Sequence, residues 1–315
     1  MVKRVLLAAP RGFCAGVERA VDTVEKALTL YGPPIYVRKQ IVHNAHVVRE
    51  LESRGAIFVE SEEEAPEGAT LVLSAHGVAP TVYANAAARG LVTIDATCPL
   101  VTKVHGEARR YAAEGYTVVL IGHAGHEEVV GTTGEAPHAI RLVGSVEEAE
   151  RVEVADPQRV AYITQTTLSV DDTAAIVRAL QRRFPGLHGP QVEDICYATT
   201  NRQAAVKRLA GLVDVLLVIG SRNSSNSNRL VEVARAAGVE SHLIDDETEI
   251  DERWLDGVST VGVTSGASAP ERLVQRVCEW FRARGVTDIR PIGAVVEDVF
   301  FRLPVELRRA ASSAA

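Results

Sequence analysis

The chain of 315 residues is long enough for one large domain or for two to three domains of ordinary size. Hydrophobic residues make up 46% of it and charged residues 24%, which is typical of a globular protein and excludes wholesale disorder. The formal net charge of −7 argues against binding to nucleic acid, because a phosphate backbone requires a basic face. The aromatic content of 5% also disfavours surfaces that stack on bases.

The N-terminus has a short apolar run at 5–9, which follows two basic residues and stops at Pro10. This run is too short for the apolar core of a signal peptide. No apolar stretch elsewhere approaches the length of a membrane helix. We therefore predict a cytoplasmic protein that does not associate with a membrane.

Four cysteines are too few for a disulfide scaffold in a chain of this length, and none forms a Cys-x-x-Cys pair. Cys14, Cys98 and Cys196 share a context, since each follows a short apolar or β-branched run and precedes apolar residues at three-and-four spacing. The preceding runs are 5–9, 92–97 and 192–195. This pattern predicts a strand, a cysteine and a helix three times over. Cys278 lies on a predicted amphipathic helix, where core packing is favoured.

Further apolar strands follow each predicted helix and end at polar residues. They are predicted at 35–37, 71–73, 118–121, 160–163, 215–219 and 258–263. The pattern predicts an α/β protein of three similar domains with small, mainly parallel sheets. We place the first unit at 14–97, the second at 98–193 and the third at 194–315.

In parallel sheets the polar groups that follow each strand collect at one edge, so the three thiolates are expected around one central cavity. Three thiolates suit a soft metal centre. A structural zinc site normally takes four protein ligands, whereas an iron–sulfur cluster held by three leaves one iron open to substrate. Buried core cysteines are the alternative interpretation.

Small polar donors indicate an anion site. Ser224, Ser225 and Asn226 precede a helix that we predict to begin near Asn228, and Ser268 precedes a second helix. Hydroxyls, an amide and backbone N–H groups at a helix N-terminus bind phosphate groups. Simple helix capping is the alternative for either segment.

Three histidines, His43, His76 and His126, each follow a predicted strand and are candidate donors to the same anion. Glu128 is the candidate proton donor, since a desolvated carboxyl near anions has a raised pKa. Its neighbour Glu127 is not distinguished from it by spacing.

Thr166 and Thr167 follow the strand predicted at 160–163. Their hydroxyls are candidates to orient a substrate alcohol or to relay a proton.

Nine short motifs occur along almost the whole chain. They are PRGFCAGV at 10–17, VHN at 42–44, SAHGV at 74–78, DATCPLV at 95–101, GHAGH at 122–126, TQTTLS at 164–169, ICYATTNRQ at 195–203, SSNSNR at 224–229 and GASAP at 266–270. In these motifs and their order the sequence resembles the (E)-4-hydroxy-3-methylbut-2-enyl diphosphate reductases.

The resemblance implies three α/β domains in a pseudo-threefold arrangement around a central iron–sulfur cluster, with the N-terminal strand at 1–13 joined to the last domain. It implies one [4Fe–4S] cluster per chain, with Cys14, Cys98 and Cys196 as its ligands. The open iron would bind the hydroxyl of an allylic diphosphate. Two electrons would then expel that hydroxyl as water and yield isopentenyl and dimethylallyl diphosphates, which is the last step of the non-mevalonate pathway.

The resemblance also implies roles for individual side chains. Glu128 would supply the proton, and Thr166 would contact the substrate. The diphosphate would be held by His43, His76, His126, Ser224, Ser225, Asn226 and Ser268. The family often has proline immediately before the catalytic glutamate, whereas this chain has Glu127.

Two other kinds of protein fit parts of the pattern. One is another three-domain iron–sulfur enzyme, such as a quinolinate synthase, and the other is a zinc-binding or cluster-bearing module that senses redox state. A nicotinamide-dependent dehydrogenase is disfavoured because no G-x-G-x-x-G follows a strand and opens a helix. We therefore predict ferredoxin or flavodoxin as the electron donor.

Overall fold

A computed structural model describes residues 2–293 and 295–313, with side chains up to residue 310. The β-strands are β1 (Arg4–Ala8), β2 (Ile35–Arg38), β3 (Ala56–Val59), β4 (Thr70–Leu73), β5 (Val92–Asp95), β6 (Thr117–Ile121), β7 (Ile140–Val143), β8 (Val160–Thr164), β9 (Val215–Ile219), β10 (Glu240–Ile244), β11 (Thr260–Ser265) and β12 (Asp288–Ile292). The α-helices are α1 (Ala15–Tyr31), α2 (Ala45–Ser53), α3 (Pro80–Ala88), α4 (Pro99–Ala113), α5 (Glu127–Glu135), α6 (Val146–Arg151), α7 (Val170–Arg183), α8 (Tyr197–Ala210), α9 (Ser225–Ala236), α10 (Glu271–Arg282) and α11 (Val305–Ser313).

The chain divides into two compact units, each made of several segments. The first unit contains Met1–Val17, His43–Val47 and Tyr197–Phe300. The second unit contains Glu18–Val42, Val48–Cys196 and Phe301–Ala315. The three-domain boundaries expected from the sequence stay a prediction.

The first unit contains a five-stranded parallel sheet in the order β10-β9-β11-β1-β12. Its central strands are apolar and β-branched, and every residue of β9 and β11 is buried, as expected for strands covered on both faces. Helix α10 presents Leu273, Val274, Val277 and Phe281 to this core at helical spacing. Cys278 is buried in the same core, so its predicted packing role is confirmed.

The second unit contains two parallel sheets, one of four strands in the order β3-β2-β4-β5 and one of three in the order β7-β6-β8. The predicted α/β class with three small parallel sheets is therefore confirmed. Since the strands of each sheet run in parallel, the loops that follow them leave from one edge. Most of the predicted site residues lie in these loops or in the first turn of the helix that follows. Within the described parts of the chain, no helix is both long enough and apolar enough to span a membrane.

Two local predictions are wrong. Residues 192–195 form an irregular segment before Cys196 and not a strand. Val192 is 69% exposed, and the buried Asp194 accepts the Thr164 N–H at 2.8 Å and pairs with Lys103 at 2.8 Å. These two contacts of Asp194 hold the backbone at 192–195 in place, although the segment makes no β-sheet hydrogen bonds.

The second wrong prediction is the start of α9, which begins at Ser225 and not near Asn228. The side chain of Ser224 accepts the N–H of Ser227 and so caps the helix. Ser225 and Asn226 therefore lie in the first helical turn.

Candidate active site

The Cys14 loop connects β1 to α1 in the first unit and is held by backbone hydrogen bonds. The Gly12 N–H donates to Ser265 Oγ at 2.8 Å, and the Cys14 N–H donates to the Ala267 carbonyl at 3.2 Å. Gly12 has a φ of +76°, a conformation that glycine adopts without strain. Burial raises the pKa of the half-buried Cys14 thiol, while the Val17 N–H acts in the opposite direction. The two hydrogen bonds fix the backbone that leads into Cys14 from its N-terminal side.

The donor site, which we define as His43, Ser224, Asn226 and Ser268, also lies in the first unit. Ser268 Oγ donates to the His43 carbonyl at 2.9 Å and lies 3.4 Å from Ser224 Oγ. Ser224 is buried at the N-cap of α9, where its Oγ accepts from Ser227 Oγ at 3.0 Å. Ser224 therefore caps α9 and also lies next to Ser268, the other predicted anion donor.

Asn226 joins the donor site to the loop that follows β11. Its side-chain oxygen accepts the Ala267 N–H at 2.9 Å, and its Nδ2 donates to Thr199 Oγ1 at 3.4 Å. Ser225, the remaining predicted serine, is half-buried in the first turn of α9. Ala267 thus links Asn226 to the Cys14 loop through its N–H and its carbonyl.

His43 contributes to the donor site as a neutral ring. Burial lowers its pKa to about 4, so the imidazole is uncharged at neutral pH. Its Nδ1 lies 3.4 Å from Asn223 Nδ2. The first unit therefore brings together hydroxyls, an amide and a neutral imidazole at the start of α9, a combination suited to an anion.

The acid site, which we define as His76, His126, Glu128 and Thr166, lies in the second unit. Glu128 is 2% exposed, and its Oε1 accepts the Thr166 N–H at 2.6 Å. Its Oε2 lies 3.0 Å from Thr166 Oγ1. The Glu128 N–H donates to Nδ1 of His126, the N-cap residue of α5, at 3.2 Å. A neutral His126 therefore carries its proton on Nε2.

The electrostatics of the acid site favour a protonated carboxyl. Burial raises the pKa of Glu128 to about 7, although the hydrogen bonds from Thr166 act in the opposite direction. Since Oε1 accepts the Thr166 N–H, the proton of the neutral acid belongs on Oε2. The Thr166 hydroxyl, which donates to Oε2 of the carboxylate, would then turn and accept that proton's hydrogen bond. A carboxyl of this pKa both holds and releases a proton near neutral pH.

Glu127 differs from its neighbour Glu128 in solvent exposure and in its partners. It is partly exposed at the first position of α5, and its carboxylate lies 3.5 Å from Lys39 Nζ. Lys39 also pairs with Glu60 at 2.6 Å. Burial and partners therefore favour Glu128 as the acid, a choice that spacing alone did not allow.

Two of the predicted cysteines border the acid site. The Cys98 N–H donates to the carbonyl of Ala75, the residue before His76, at 3.0 Å, and Cys98 is the N-cap of α4. The rings of His76 and His126 meet edge to face with centroids 5.9 Å apart. From Cys98, contacts therefore lead through both histidines towards the acid.

On the other side of the acid, the Cys196 N–H donates to the Thr166 carbonyl at 3.1 Å. Thr167, half-buried, accepts from Gln165 Nε2 at 2.8 Å, and Gln165 Oε1 accepts the His123 N–H at 3.1 Å. The second unit thus brings together Cys98, His76, His126, Glu128, Thr166, Thr167 and Cys196.

Comparison with known proteins gives a consistent result. The family described as LytB protein matches residues 5–282. This chain belongs to the LytB family. A protein of Acidothermus cellulolyticus named 4-hydroxy-3-methylbut-2-enyl diphosphate reductase is 67% identical over 308 residues, which cover 98% of this chain and 91% of that protein. A protein of the same name from Streptomyces avermitilis is 60% identical with the same coverage.

Solved structures agree with the family assignment. The E-1-hydroxy-2-methyl-but-2-enyl-4-diphosphate reductase of Plasmodium falciparum is 38% identical, with a TM-score of 0.95 over 100% of this chain and 99% of that one. A structure described as the terminal enzyme of the non-mevalonate pathway is 33% identical, with a TM-score of 0.63 over 90% of this chain and 100% of that one. The resemblance found in the sequence motifs is therefore confirmed at the level of the family.

Sequence reasoning missed several residues that support the site. Gln165 and Thr199 occur inside the motifs at 164–169 and 195–203, so their position in the sequence could have identified them. Arg202 lies in a motif as well, and it is completely buried beside the Cys14 loop. Glu297, which binds Arg202, lies outside every motif and had no signal.

Proposed function

We propose that this chain reduces (E)-4-hydroxy-3-methylbut-2-enyl diphosphate to isopentenyl and dimethylallyl diphosphates. The reaction consumes two electrons and two protons, breaks the allylic carbon–oxygen bond, forms a carbon–hydrogen bond and releases one water. The observation that carries the proposal is the buried Glu128, whose two carboxyl oxygens both accept hydrogen bonds from Thr166 and which is linked by contacts to two cysteine loops. The names of the relatives support the same reaction.

The cofactor we propose is one [4Fe–4S] cluster held by Cys14, Cys98 and Cys196. All three are half-buried thiols, and each directly precedes a helix (α1, α4 and α8), whose N-terminus favours the thiolate and an anionic cofactor. The residues therefore fit this group. When bound, the cluster would supply the electrons and one open iron that acts as a Lewis acid.

A single metal ion has less support than a cluster. The described residues contain no group of three His, Cys, Asp or Glu side chains placed to hold one ion. A cluster does not require the three side chains to converge on one point, because each cysteine binds a separate iron atom.

The diphosphate, we propose, is held by the donor site together with Ser225, His76 and His126. The neutral hydroxyls and amide of the donor site, with the N–H groups that begin α9, bind an anion without a compensating cation. Neutral His43 donates a hydrogen bond without adding charge. Hydrogen bonds from such preorganised groups hold the substrate in register for protonation.

The acid site, in this proposal, supplies the protons. Glu128 donates from Oε2, and the Thr166 hydroxyl next to it orients the substrate or relays that proton. Thr167 lies in the same loop, between β8 and α7. The sealed position of Glu128 keeps bulk water from competing for the proton.

The electrons, we propose, arrive one at a time from ferredoxin or flavodoxin in the cytoplasm. The chain lacks the glycine-rich turn that would bind a nicotinamide dinucleotide. In a single turnover, reduced ferredoxin or flavodoxin should yield both products, whereas NADPH without a carrier should yield none. Product formation with NADPH alone would overturn this part of the proposal.

The test of the whole proposal is anaerobic turnover of the hydroxylated substrate with reduced viologen, using wild type and Glu128→Gln side by side. Iron and sulfide content is measured on both proteins first. Wild type should form both products, and the variant should retain its cluster and nearly stop. Wild type that contains an intact cluster but forms neither product would contradict the proposed reaction and favour a redox sensor or another dehydratase.

A further inference from the structure

The segment that follows β12 contributes one carboxylate to the support of the Cys14 loop. Glu297 Oε1 and Oε2 accept from Arg202 Nη1 at 3.1 and 3.2 Å, and Oε1 also accepts from Asn201 Nδ2 at 3.0 Å. All these residues belong to the first unit. Glu297 lies beyond residues 5–282, the part of the chain that the family model matches.

Arg202 connects this carboxylate to the cysteine loop. Its side chain is completely buried, its Nη2 donates to the Gly12 carbonyl at 2.7 Å, and its Nη1 donates to the Ala198 carbonyl at 3.0 Å. A guanidinium in such a position requires a compensating anion, because an unpaired buried charge is strongly destabilising. Glu297, itself 12% exposed, provides that anion.

The Gly12 carbonyl is a sensitive point of the loop, because it lies two residues before Cys14 on a backbone with positive φ. From the same helix as Arg202, the Tyr197 hydroxyl accepts the Ala15 N–H at 3.2 Å. Helix α8 therefore holds the loop on both sides of Cys14, and Glu297 fixes the arginine that forms one of these two contacts.

We propose that Glu297 is a positioning residue for Cys14, acting through Arg202, so that the segment after β12 takes part in holding the metal cofactor. This inference rests on the proposed function, since it assigns Cys14 to the cluster. Replacement of a residue that orients a metal ligand typically weakens metal retention by about 10- to 100-fold. Glu297 also acts electrostatically on the Cys14 thiol, so the loss of its negative charge would favour the reduced state of a cluster bound there.

The test compares Glu297→Gln with the matched control Asp298→Asn. Both variants remove one carboxylate charge from the same segment, but Asp298 is exposed. Three quantities are measured for wild type and both variants under anaerobic conditions: amide hydrogen exchange of the peptide at 9–17, the rate of iron release to a chelator, and the reduction potential of the cluster. Glutamine keeps the shape of glutamate, and thermal melting checks that each variant is folded.

For Glu297→Gln we expect faster exchange at 9–17, iron release about tenfold faster, and a more positive potential. Asp298→Asn should match wild type in all three. If Glu297→Gln alters exchange only in its own segment and leaves the potential unchanged, Glu297 merely anchors that segment and the inference is wrong.

Failure of the proposed function gives a different pattern. A wild-type protein that binds no cluster or forms no product would contradict the function whatever the variants do. Hydrogen exchange at 9–17 decides, with or without metal, whether Glu297 orders the cysteine loop. Equal exchange in Glu297→Gln and Asp298→Asn would overturn the inference even for an active enzyme.

Discussion

The donor site and the acid site differ in whether their charge changes near neutral pH. The donor site consists of hydroxyls, an amide and a neutral imidazole, so it stays uncharged across the neutral pH range. The acid site contains a buried carboxyl whose pKa is about 7, so its charge changes in that range. Binding of a permanent anion benefits from fixed dipoles, whereas proton transfer requires a group that changes state. Substitutions in the two sites should therefore affect different kinetic parameters.

The largest effect is expected for Glu128→Gln, which removes the proton but keeps the shape of the side chain. We expect kcat to fall by about 10²- to 10³-fold, because general acid catalysis is lost, while KM stays near the wild-type value. Steady-state kinetics with a viologen donor measure both. A rise in KM at constant kcat would mean that Glu128 belongs functionally with the donor groups.

The second prediction concerns stability against pH. The pKa of Glu128 is raised from 4.5 to about 7 in the folded state, so the folded chain binds more protons than the unfolded chain in this window. The stabilisation is complete below pH 4.5 and is lost as pH rises through 7. We expect wild type to lose about 3 kcal/mol of unfolding free energy relative to Glu128→Gln across this window. Urea unfolding at several pH values measures the difference.

A constant difference between the two proteins over that pH range would contradict the assigned environment of Glu128. Other groups that titrate in the window, such as Glu107, whose pKa is also raised to about 7, are common to both proteins and cancel in the difference.

The third prediction concerns the donor site. Ser268→Ala removes the hydroxyl that donates to the His43 carbonyl and lies next to Ser224. We expect KM to rise about five- to tenfold, the value of one hydrogen bond, with kcat unchanged. The rise should be the same at pH 6.5 and pH 8, because none of these groups titrates there. A loss of kcat without a change in KM would show that Ser268 contributes to the chemical step and not to substrate binding, which would contradict the proposed difference between the two sites.

The smallest effect is expected for Glu127→Gln. Its partner Lys39 lies 3.5 Å away and both side chains are partly exposed, so the pair contributes about 0.5 kcal/mol or less. Turnover should stay within about twofold of wild type, since Lys39 keeps its bond to Glu60. A loss comparable to that of Glu128→Gln would show that the two acids act together. The same kinetic assay therefore serves as the control for the first prediction.

The sequence predicted the features that depend on short-range patterns. Apolar runs located β1, β6 and β9, and the residues after each cysteine located α1, α4 and α8. The strand expected at 192–195 was wrong because Asp194 bonds to Thr164, a tertiary contact that hydropathy does not encode. The start of α9 was misplaced because the cap of a helix depends on one hydroxyl.

Within the candidate site, residue types were predictable and environments were not. Glu127 and Glu128 are equivalent in spacing, and only the burial of one of them separates them. The contact between Arg202 and Glu297 joins residues 95 positions apart, and no local periodicity predicts such a pair. Sequence pattern therefore identifies candidates, and packing determines which of them acts.

Thr166 occupies a position with an unusual restriction on evolutionary change. Its N–H binds Glu128 and its carbonyl binds the amide of Cys196, so one peptide unit on either side of its Cα sets the spacing between acid and cysteine. Insertion of a single residue next to it would move one partner by about 3.8 Å, further than either hydrogen bond tolerates. The connection between β8 and α7 can therefore change its side chains more readily than its length. Insertions and deletions should be tolerated in surface loops that carry no site residue but not beside Thr166.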